Sequence, residues 1–481
     1  MTSTTVIPDA ESGGFSLPGL IAAKLRGREL FGHPIGLYIL FLTEMWERFS
    51  YYGMRALLIM YMIKYLLADP ARAQMVFGFA GLEHILYAIF GKLSVQAISS
   101  QIYGLYTAFV YFTPFFGGML ADKVWGQHKS VFVGGILMAI GHFLMASERC
   151  FLLALLFLIL GCGCFKPNIS TQVGNLYPEG DNRRDGAFTI FYMGINLGAV
   201  FSPLVCGTLG QLIGWDYGFG AAGIGMLLGV IIYWLGSGLV PRGQMMADGS
   251  VAKPQKSREE ENKEPLTKQD WKQIWALVIL CLFNVAFWAI YEQQGNTLQL
   301  WAADRTNWHF LVFHIPSSWY QSFNPAYIII FAPLLDIFWN WQSKRGKEPS
   351  TVIKMGIGCL LCGLAYLIMI AAARIVSPGE RGSVMWLATT TWVFTMGELY
   401  LSPTGLSLVT KVAPKRLVNT MMGVWFFSYF LGDWFAGNIG MLYNVITKEH
   451  FFALLTAIGV TTGFIFFLLK RPLSRSIGRE I

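Results

Sequence analysis

Charged side chains are scarce in this 481-residue chain, where Asp, Glu, Lys and Arg together make up 13% of the sequence, against roughly 25% in an average soluble protein. A soluble chain of this size must cover a large surface with such groups, so the shortage excludes an ordinary set of soluble domains. Long polar stretches are as rare, and 241–270 is the exception. A content of 54% AVILMFWYC excludes collagen-like and disordered chains. Cysteine is limited to seven residues, an odd number: Cys150, Cys162, Cys164, Cys206, Cys281, Cys359 and Cys362. Nearly all sit in apolar runs with no histidine at metal-ligand spacing, so small buried thiols are expected rather than a zinc site or a disulfide framework. The seven His are scattered without HxxxH or HExxH, and no metal site is expected. The first 34 residues lack a compact apolar core ending at a small-residue cleavage site, so no removable signal peptide is expected.

What is abundant is apolar sequence, with a mean hydropathy of +0.49. A bilayer core of ~30 Å takes about 20 residues of helix. Runs of that length occur near 36–66, 100–121, 130–149, 151–173, 187–213 and 217–239, and again near 273–302, 323–342, 352–374, 384–409, 418–443 and 450–470. The stretch 72–98 is apolar but interrupted by Glu83, His84 and Lys92, and reads as an interfacial or re-entrant helix. The chain therefore reads as an all-α integral membrane protein with twelve transmembrane helices in two six-helix bundles. Its expected divisions are an N-terminal segment 1–35, a first bundle 36–240, a linker 241–270, a second bundle 271–472 and a tail 473–481. Two six-span halves around a midplane site are the plan of many secondary transporters.

The cations test this topology. With both termini cytoplasmic, the outer segments hold only Lys64, Arg72, Lys92, Arg149, Arg305, Arg374, Arg381 and Lys448, and Arg48, Arg55 and Lys166 lie within spans. The other 25 of 36 Lys and Arg fall inside, the bias that cytoplasmic loops show. That bias accounts for most of the net charge of +8 and leaves nucleic-acid binding without separate support.

Ionisable groups inside spans are costly, at about 2.5–3.5 kcal/mol each at a helix centre, and call for a reason. The first span carries Glu44, Glu47, Arg48, Tyr51, Tyr52 and Arg55 at helical spacing on one stripe. Four ionisable groups on one stripe must line a wet cavity or pair with other helices. Lys166, Glu292 and Glu398 occupy three further spans, with cations in the first half and anions in the second. Pairs between the halves would open and close as the halves rock. Asn196 and Asn324 are intramembrane amides, able to bind a ligand or to join helices.

Taken in order, these residues resemble a known family. Glu44-x-x-Glu47-Arg48-Phe-Ser-Tyr-Tyr-Gly is similar to the ExxER motif of the proton-dependent oligopeptide transporters, within the major facilitator superfamily. Further likenesses are Gly117-Gly-Met-Leu-Ala-Asp122-Lys123, Phe165-Lys166-Pro167-Asn168, Phe191-Tyr192-Met-Gly-Ile-Asn196, Glu292-Gln-Gln, Phe323-Asn324-Pro325 and Glu398. The resemblance implies two pseudo-symmetric bundles, alternating access, and proton-driven import of di- and tripeptides, with the proton as coupling ion and no other cofactor. It implies proton coupling at Glu44, Glu47, Arg48 and Glu292. Arg55 and Lys166 would receive the peptide carboxylate, and Glu398, Asn196 and Asn324 the amino group. Tyr51, Tyr52, Tyr111 and Trp425 would shape the side-chain pockets. Arg55–Glu292 would form the extracellular gate and Lys166–Glu398 the cytoplasmic one. The expected setting is the cell (inner) membrane, with the lipid bilayer as partner and a monomer sufficient.

Some members of the family with this fold carry nitrate or other small anions, and a peptide-sensing homologue is a further alternative. The Glu44/Glu47/Arg48 set and Glu398 favour peptides, because an anion has no use for an amine-binding carboxylate. A channel would need a repeated filter or ring of charge, and an enzyme a nucleophile–base set. The sequence offers neither.

Overall fold

A chain segment can cross lipid only if its backbone hydrogen bonds are satisfied internally, so long apolar runs must become helices. The computed structural model describes residues 17–178, 180–243, 266–310, 313–414 and 417–477. Most of the expected linker, residues 244–265, lies outside the described residues, as do 1–16 and 478–481 of the terminal segments. The helices are α1 Leu17–Leu25, α2 Ile35–Tyr61, α3 Pro70–Met75, α4 Phe79–Phe90, α5 Val95–Leu120, α6 Gly126–Leu144, α7 Phe151–Asn175 and α8 Arg183–Leu212. They continue with α9 Trp215–Gly236, α10 Lys268–Tyr291, α11 Thr297–Arg305, α12 Phe323–Lys344, α13 Thr351–Ile375, α14 Met385–Val412, α15 Val418–Gly440 and α16 Lys448–Ile477. Six long helices (α2 and α5–α9) precede the linker, and six (α10 and α12–α16) follow it. Eight helical stretches are long and apolar enough to cross a membrane, one of which, 95–144, holds both α5 and α6. Only three two-residue β ladders are described, Glu29–Leu30 with His33–Pro34, Thr306–Asn307 with Gly382–Ser383, and His309–Phe310 with Phe313–His314.

The helix ends depart from the apolar runs where local chemistry decides them. The Ser94 hydroxyl caps α5 by accepting from Ala97 N at 3.2 Å, so this helix starts at 95 rather than 100. A reciprocal cap between Thr267 and Asp270 starts α10 at 268 rather than 273. Both first turns are partly polar, which hydropathy ignores and capping rewards. The stretch 72–98 breaks into α3, α4 and the start of α5. Gly78 and Gly91, at φ +80° and +76°, bound α4 in backbone conformations that side chains with a Cβ rarely adopt. With twelve residues, α4 is too short to span, and it leaves Ile85 and Ile89 exposed.

A larger departure is in the seventh apolar run. The helix ends at Tyr291, tightens into a 3₁₀ turn over Glu292–Gln294, and resumes as α11 at Thr297. A broken helix at membrane depth needs partners for its freed backbone groups. Here Gln321 Nε2 donates to Gln294 O at 2.9 Å.

Within the first half α2 packs along α8 and α9, and α5 and α6 along α7; in the second, α13 packs against α14 and α16, and α10 against α15 and α16. The halves meet chiefly along α5 and α15. This contact is a wedge. Toward the end of the molecule away from the N terminus it is tight, since a β-carbon on Gly104 would lie 2.6 Å from Gly437 Cα and 2.9 Å from Asp433 O. Toward the other end a cavity of about 430 Å³ opens between Tyr111, Phe112 and Phe115 on α5 and Thr420, Gly423, Val424, Phe426 and Phe427 on α15. A Gly104→Leu substitution is therefore expected to lower the unfolding temperature of the detergent-solubilised protein. Gly81→Leu on α4, where an added β-carbon meets open space, should leave it unchanged in the same thermal scan.

Candidate functional site

Helical spacing places Glu44, Glu47 and Arg48 on one stripe of α2, and all three are buried. Arg48 Nε lies 3.0 Å from Glu44 Oε1, and Arg48 Nη2 donates to Glu47 Oε1 at 2.9 Å. Lys166 of α7 belongs to the same group, for Arg48, Glu47 and Glu44 all act on it electrostatically. Two carboxylates and two cations make a cluster of no net charge, the arrangement that lets four ionised groups share a dry site. The Lys166 ammonium also sits 4.1 Å over the Tyr111 ring, a contact that stabilises a partly desolvated cation.

Two turns farther along α2, Arg55 donates from Nη2 to Glu292 Oε2 at 2.6 Å and from Nε to the Tyr103 hydroxyl at 2.7 Å. The Tyr103 hydroxyl in turn donates to Glu292 Oε2 at 3.3 Å. This triangle joins α2 and α5 of the first half to the 3₁₀ turn of the second, with all three side chains buried. The turn fits because residue 295 is glycine: a β-carbon there would collide with the Tyr103 hydroxyl and lie 3.1 Å from Arg55 Nε. Around it, at the same end of the molecule, other polar contacts cross between the halves. Ser100 Oγ donates to Asn296 Oδ1 at 2.9 Å, Gln96 Nε2 to Gly440 O at 2.9 Å, and Trp319 Nε1 to Thr208 Oγ1 at 2.9 Å. Lys64 and Asp304 pair there at 2.8 Å.

The second-half anion is held differently. Glu398 of α14 accepts from Asn324 Nδ2 at 2.8 Å. That nitrogen also lies 3.0 Å from Thr395 Oγ1, and the Tyr291 hydroxyl lies 3.4 Å from Asn324 Oδ1. The expected Lys166–Glu398 pair is not formed. Among the described residues no cation pairs with Glu398, and Lys166 lies instead over Tyr111 and within reach of the α2 cluster. Both side chains, with Tyr52, Tyr111 and Asn324, are only half-buried, and Tyr111 lines the cavity between α5 and α15.

The remaining expected residues divide. Tyr52 lies where Arg48, Arg55, Glu292 and Glu398 all act on it, the centre of the arrangement. Tyr51 is buried against Tyr52 and Tyr106, with ring centroids 5.2 and 6.5 Å away. Asn196 directs its Nδ2 to Tyr192 O of its own helix at 3.0 Å. Trp425 does not face the open space: it is fully buried, its Nε1 donates to the Tyr429 hydroxyl at 3.1 Å, and its ring fills the place left by Gly405. Tyr429 is tilted against Tyr111 with ring centroids 5.7 Å apart, and Tyr111 is the ring beneath the Lys166 ammonium. Tyr103, Tyr291, Thr395 and Asp433 were not singled out from sequence. Asp433 carried a signal, an acid within the apolar run 418–443, whereas the hydroxyl residues are indistinguishable from any other polar residue of an apolar helix.

Comparison with known proteins bears on the fold and the family. A sequence profile described as the POT family, PTR2, matches residues 128–254 and 252–458. The di-/tripeptide transporter of Lactococcus lactis subsp. cremoris is 33% identical over 507 residues, covering 94% of this chain and 98% of its own. The peptide transporter of Yersinia enterocolitica subsp. palearctica is 34% identical, covering 86% and 89%. A crystal structure of a peptide transporter POT in complex with sulfate superposes with a TM-score of 0.80 at 30% identity, over 95% of this chain and 99% of that one. A POT family transporter in complex with a thioalcohol-conjugated peptide gives 0.77 at 28%, over 94% and 100%.

The Tyr103–Arg55–Glu292 triangle makes a specific expectation for Gly295→Ala. In a background freed of the native cysteines, a single cysteine at position 100 should react slowly with a polar thiol reagent. Adding Gly295→Ala should raise its rate about tenfold, equivalent to ~1.4 kcal/mol taken from the closed arrangement. An unchanged rate would show that the glycine is not needed for closure.

Proposed function

Because the chain belongs to the POT family, we propose that it is a proton-coupled symporter that imports di- and tripeptides by alternating access. It is an integral, multi-pass membrane protein and a transporter rather than an enzyme. The observation that carries the reading is the placing of opposite charges in the two halves: Lys166, which has no direct ion pair among the described residues and is balanced only through the α2 cluster, in the first, and Glu398, held by an amide rather than a cation, in the second. A zwitterionic peptide brings a carboxylate and an ammonium at opposite ends and complements both. Asn324 and Tyr291 hold the Glu398 carboxylate for the amino terminus, and the aromatic wall of Tyr52, Tyr111 and Tyr429 tolerates varied side chains. Tyr51 and Trp425 pack behind that wall, and Asn196 joins the site if Tyr192 O gives up its hydrogen bond.

Coupling follows from charge balance. Protonation of Glu44 or Glu47 leaves the α2 cluster with one positive charge in excess, which an arriving carboxylate at Lys166 neutralises. Protonation of Glu292 removes the counter-charge of Arg55 and frees it for the same carboxylate, which would part the halves at the closed end. Proton and peptide thus bias one conformational equilibrium. With cytoplasmic termini in the cell (inner) membrane, the closed end faces outward and the wedge opens inward. The halves 36–240 and 271–472 would then rock about the site, with Lys166–Glu398 approaching when the inner end closes. Nothing in this cycle requires more than a monomer or any coupling agent besides the proton.

Uptake of labelled dialanine into proteoliposomes tests the reading. It should rise as external pH falls, collapse with an uncoupler, and reach roughly fiftyfold accumulation per charge moved at an inside-negative 100 mV, which supplies about 2.3 kcal/mol. Uptake indifferent to both gradients would remove proton coupling. Glu44→Gln or Glu47→Gln should abolish accumulation while sparing peptide counterflow; loss of both would make the residue structural. Glu398→Ala should erase a preference of at least tenfold for free over N-blocked dipeptides in competition assays.

A further inference from the structure

One ionisable residue near the site has no part in the scheme above. Asp433 lies on α15, its side chain is completely shielded from solvent, and neither carboxylate oxygen has a hydrogen-bond partner among the described residues. It sits in the tight part of the wedge, where its backbone oxygen would touch a β-carbon placed on Gly104. Tyr103, the neighbour of Gly104, is the residue that ties Arg55 to Glu292.

The groups around Asp433 come from five helices. Arg55 of α2, Lys166 of α7 and Glu292 at the end of α10 act on it electrostatically. Tyr111 of α5 and Tyr429 of its own helix are within its electrostatic reach. Glu398 of α14 and Cys281 of α10 act in turn on Tyr429. The nearby cations are committed elsewhere, Arg55 to Glu292 at 2.6 Å and Lys166 to the α2 cluster and Tyr111, and Glu292 repels a second anion. An ionised carboxylate without a donor is among the costliest buried groups, while the neutral acid is tolerated far better.

We propose that Asp433 is a proton-binding residue of the outer closure. It takes a proton from the outer side as α5 and α15 come together and returns it there when they part. When the helices separate at Gly104 and Gly437, water reaches the carboxylate and its anion is solvated. The proton is therefore bound by the closed outer end and released by the open one, on the same side of the membrane. It makes closure depend on external acidity without adding to the protons delivered with each peptide. The sign is fixed by linkage: acid favours the closed outer end, and each unit of rising pH above the working range of the group opens it by up to tenfold.

The inference uses only the alternating motion of the proposed transport cycle, not its substrate or its coupling. The test is the reaction of the single cysteine at position 100 with an impermeant thiol reagent, normalised to a small free thiol at each pH from 5 to 8. In the otherwise unaltered transporter the normalised rate should rise several-fold over that range. In Asp433→Asn it should stay low and flat, because a neutral isostere keeps the outer end closed at every pH, and Asp433→Leu should behave alike. The same pH dependence in Asp433→Asn, or a permanently reactive cysteine in both variants, would overturn the proposal. Protons delivered per peptide, read with a trapped pH dye, should match between Asp433→Asn and the parent. A lower ratio in the variant would also overturn it, by making the proton a transported one. A parent that moves no proton with peptide would instead defeat the coupling reading and leave the labelling result standing.

Discussion

Arg55 cannot be left alone inside a membrane, and the structure is arranged around that constraint. Arg55 lies about three-quarters of the way along α2, and its guanidinium is bound to Glu292 and Tyr103. The three side chains come from both halves, so the most stable disposition of this one charge is also the one that shuts one end of the molecule. Replacing the pair by apolar residues would cost the fold little, whereas removing one partner costs about 3–5 kcal/mol. Such a contact suits a gate: in the proposed cycle a peptide carboxylate takes Arg55 over as Glu292 accepts a proton, and the halves then part.

The other charges extend the same logic. The α2 cluster and Lys166 balance to zero, so they can stay buried until a proton unbalances them. Glu398 is satisfied by amide and hydroxyl donors rather than by a cation, which keeps its negative charge available to a ligand. Asp433 has no hydrogen-bond partner among the described residues, and the proposal above has it take up a proton. Four solutions to one problem, pairing, clustering, neutral solvation and protonation, thus lie within one layer of the molecule. Each responds to a different event.

Much of this was legible in the residues because lipid leaves few options. The apolar runs announced the helices within a few residues, except where Ser94 and Thr267 capped them early, where α10 broke at Glu292–Gln294, and where α6 stopped at Leu144 and α16 ran on to Ile477. Glu44, Glu47, Arg48 and Arg55 announced a shared wall through their spacing, and the Arg55–Glu292 pair was expected from opposite charges in opposite halves. The same rule suggested Lys166 with Glu398, a pair that is not formed in this arrangement. Pairing by sign cannot foresee which state of a moving molecule is populated, and in this one the wedge keeps those two apart. Trp425 lies behind Tyr429 instead of in the open, which depends on the rotation of α15 about its axis.

Sequence by itself determined the solvent, the succession of long helices, and the list of charges that had to find partners. Composition and spacing suffice for these because burying an uncompensated charge or an open backbone in hydrocarbon costs more than almost any packing contact can return. Only the tertiary structure decided which charges meet, which of the two ends is closed, and that Asp433 has no hydrogen-bond partner among the described residues. Those outcomes turn on ångström-scale approaches such as Gly104 to Gly437 and Gly295 to Tyr103. They arise between residues far apart in the chain, where no local pattern records the distance.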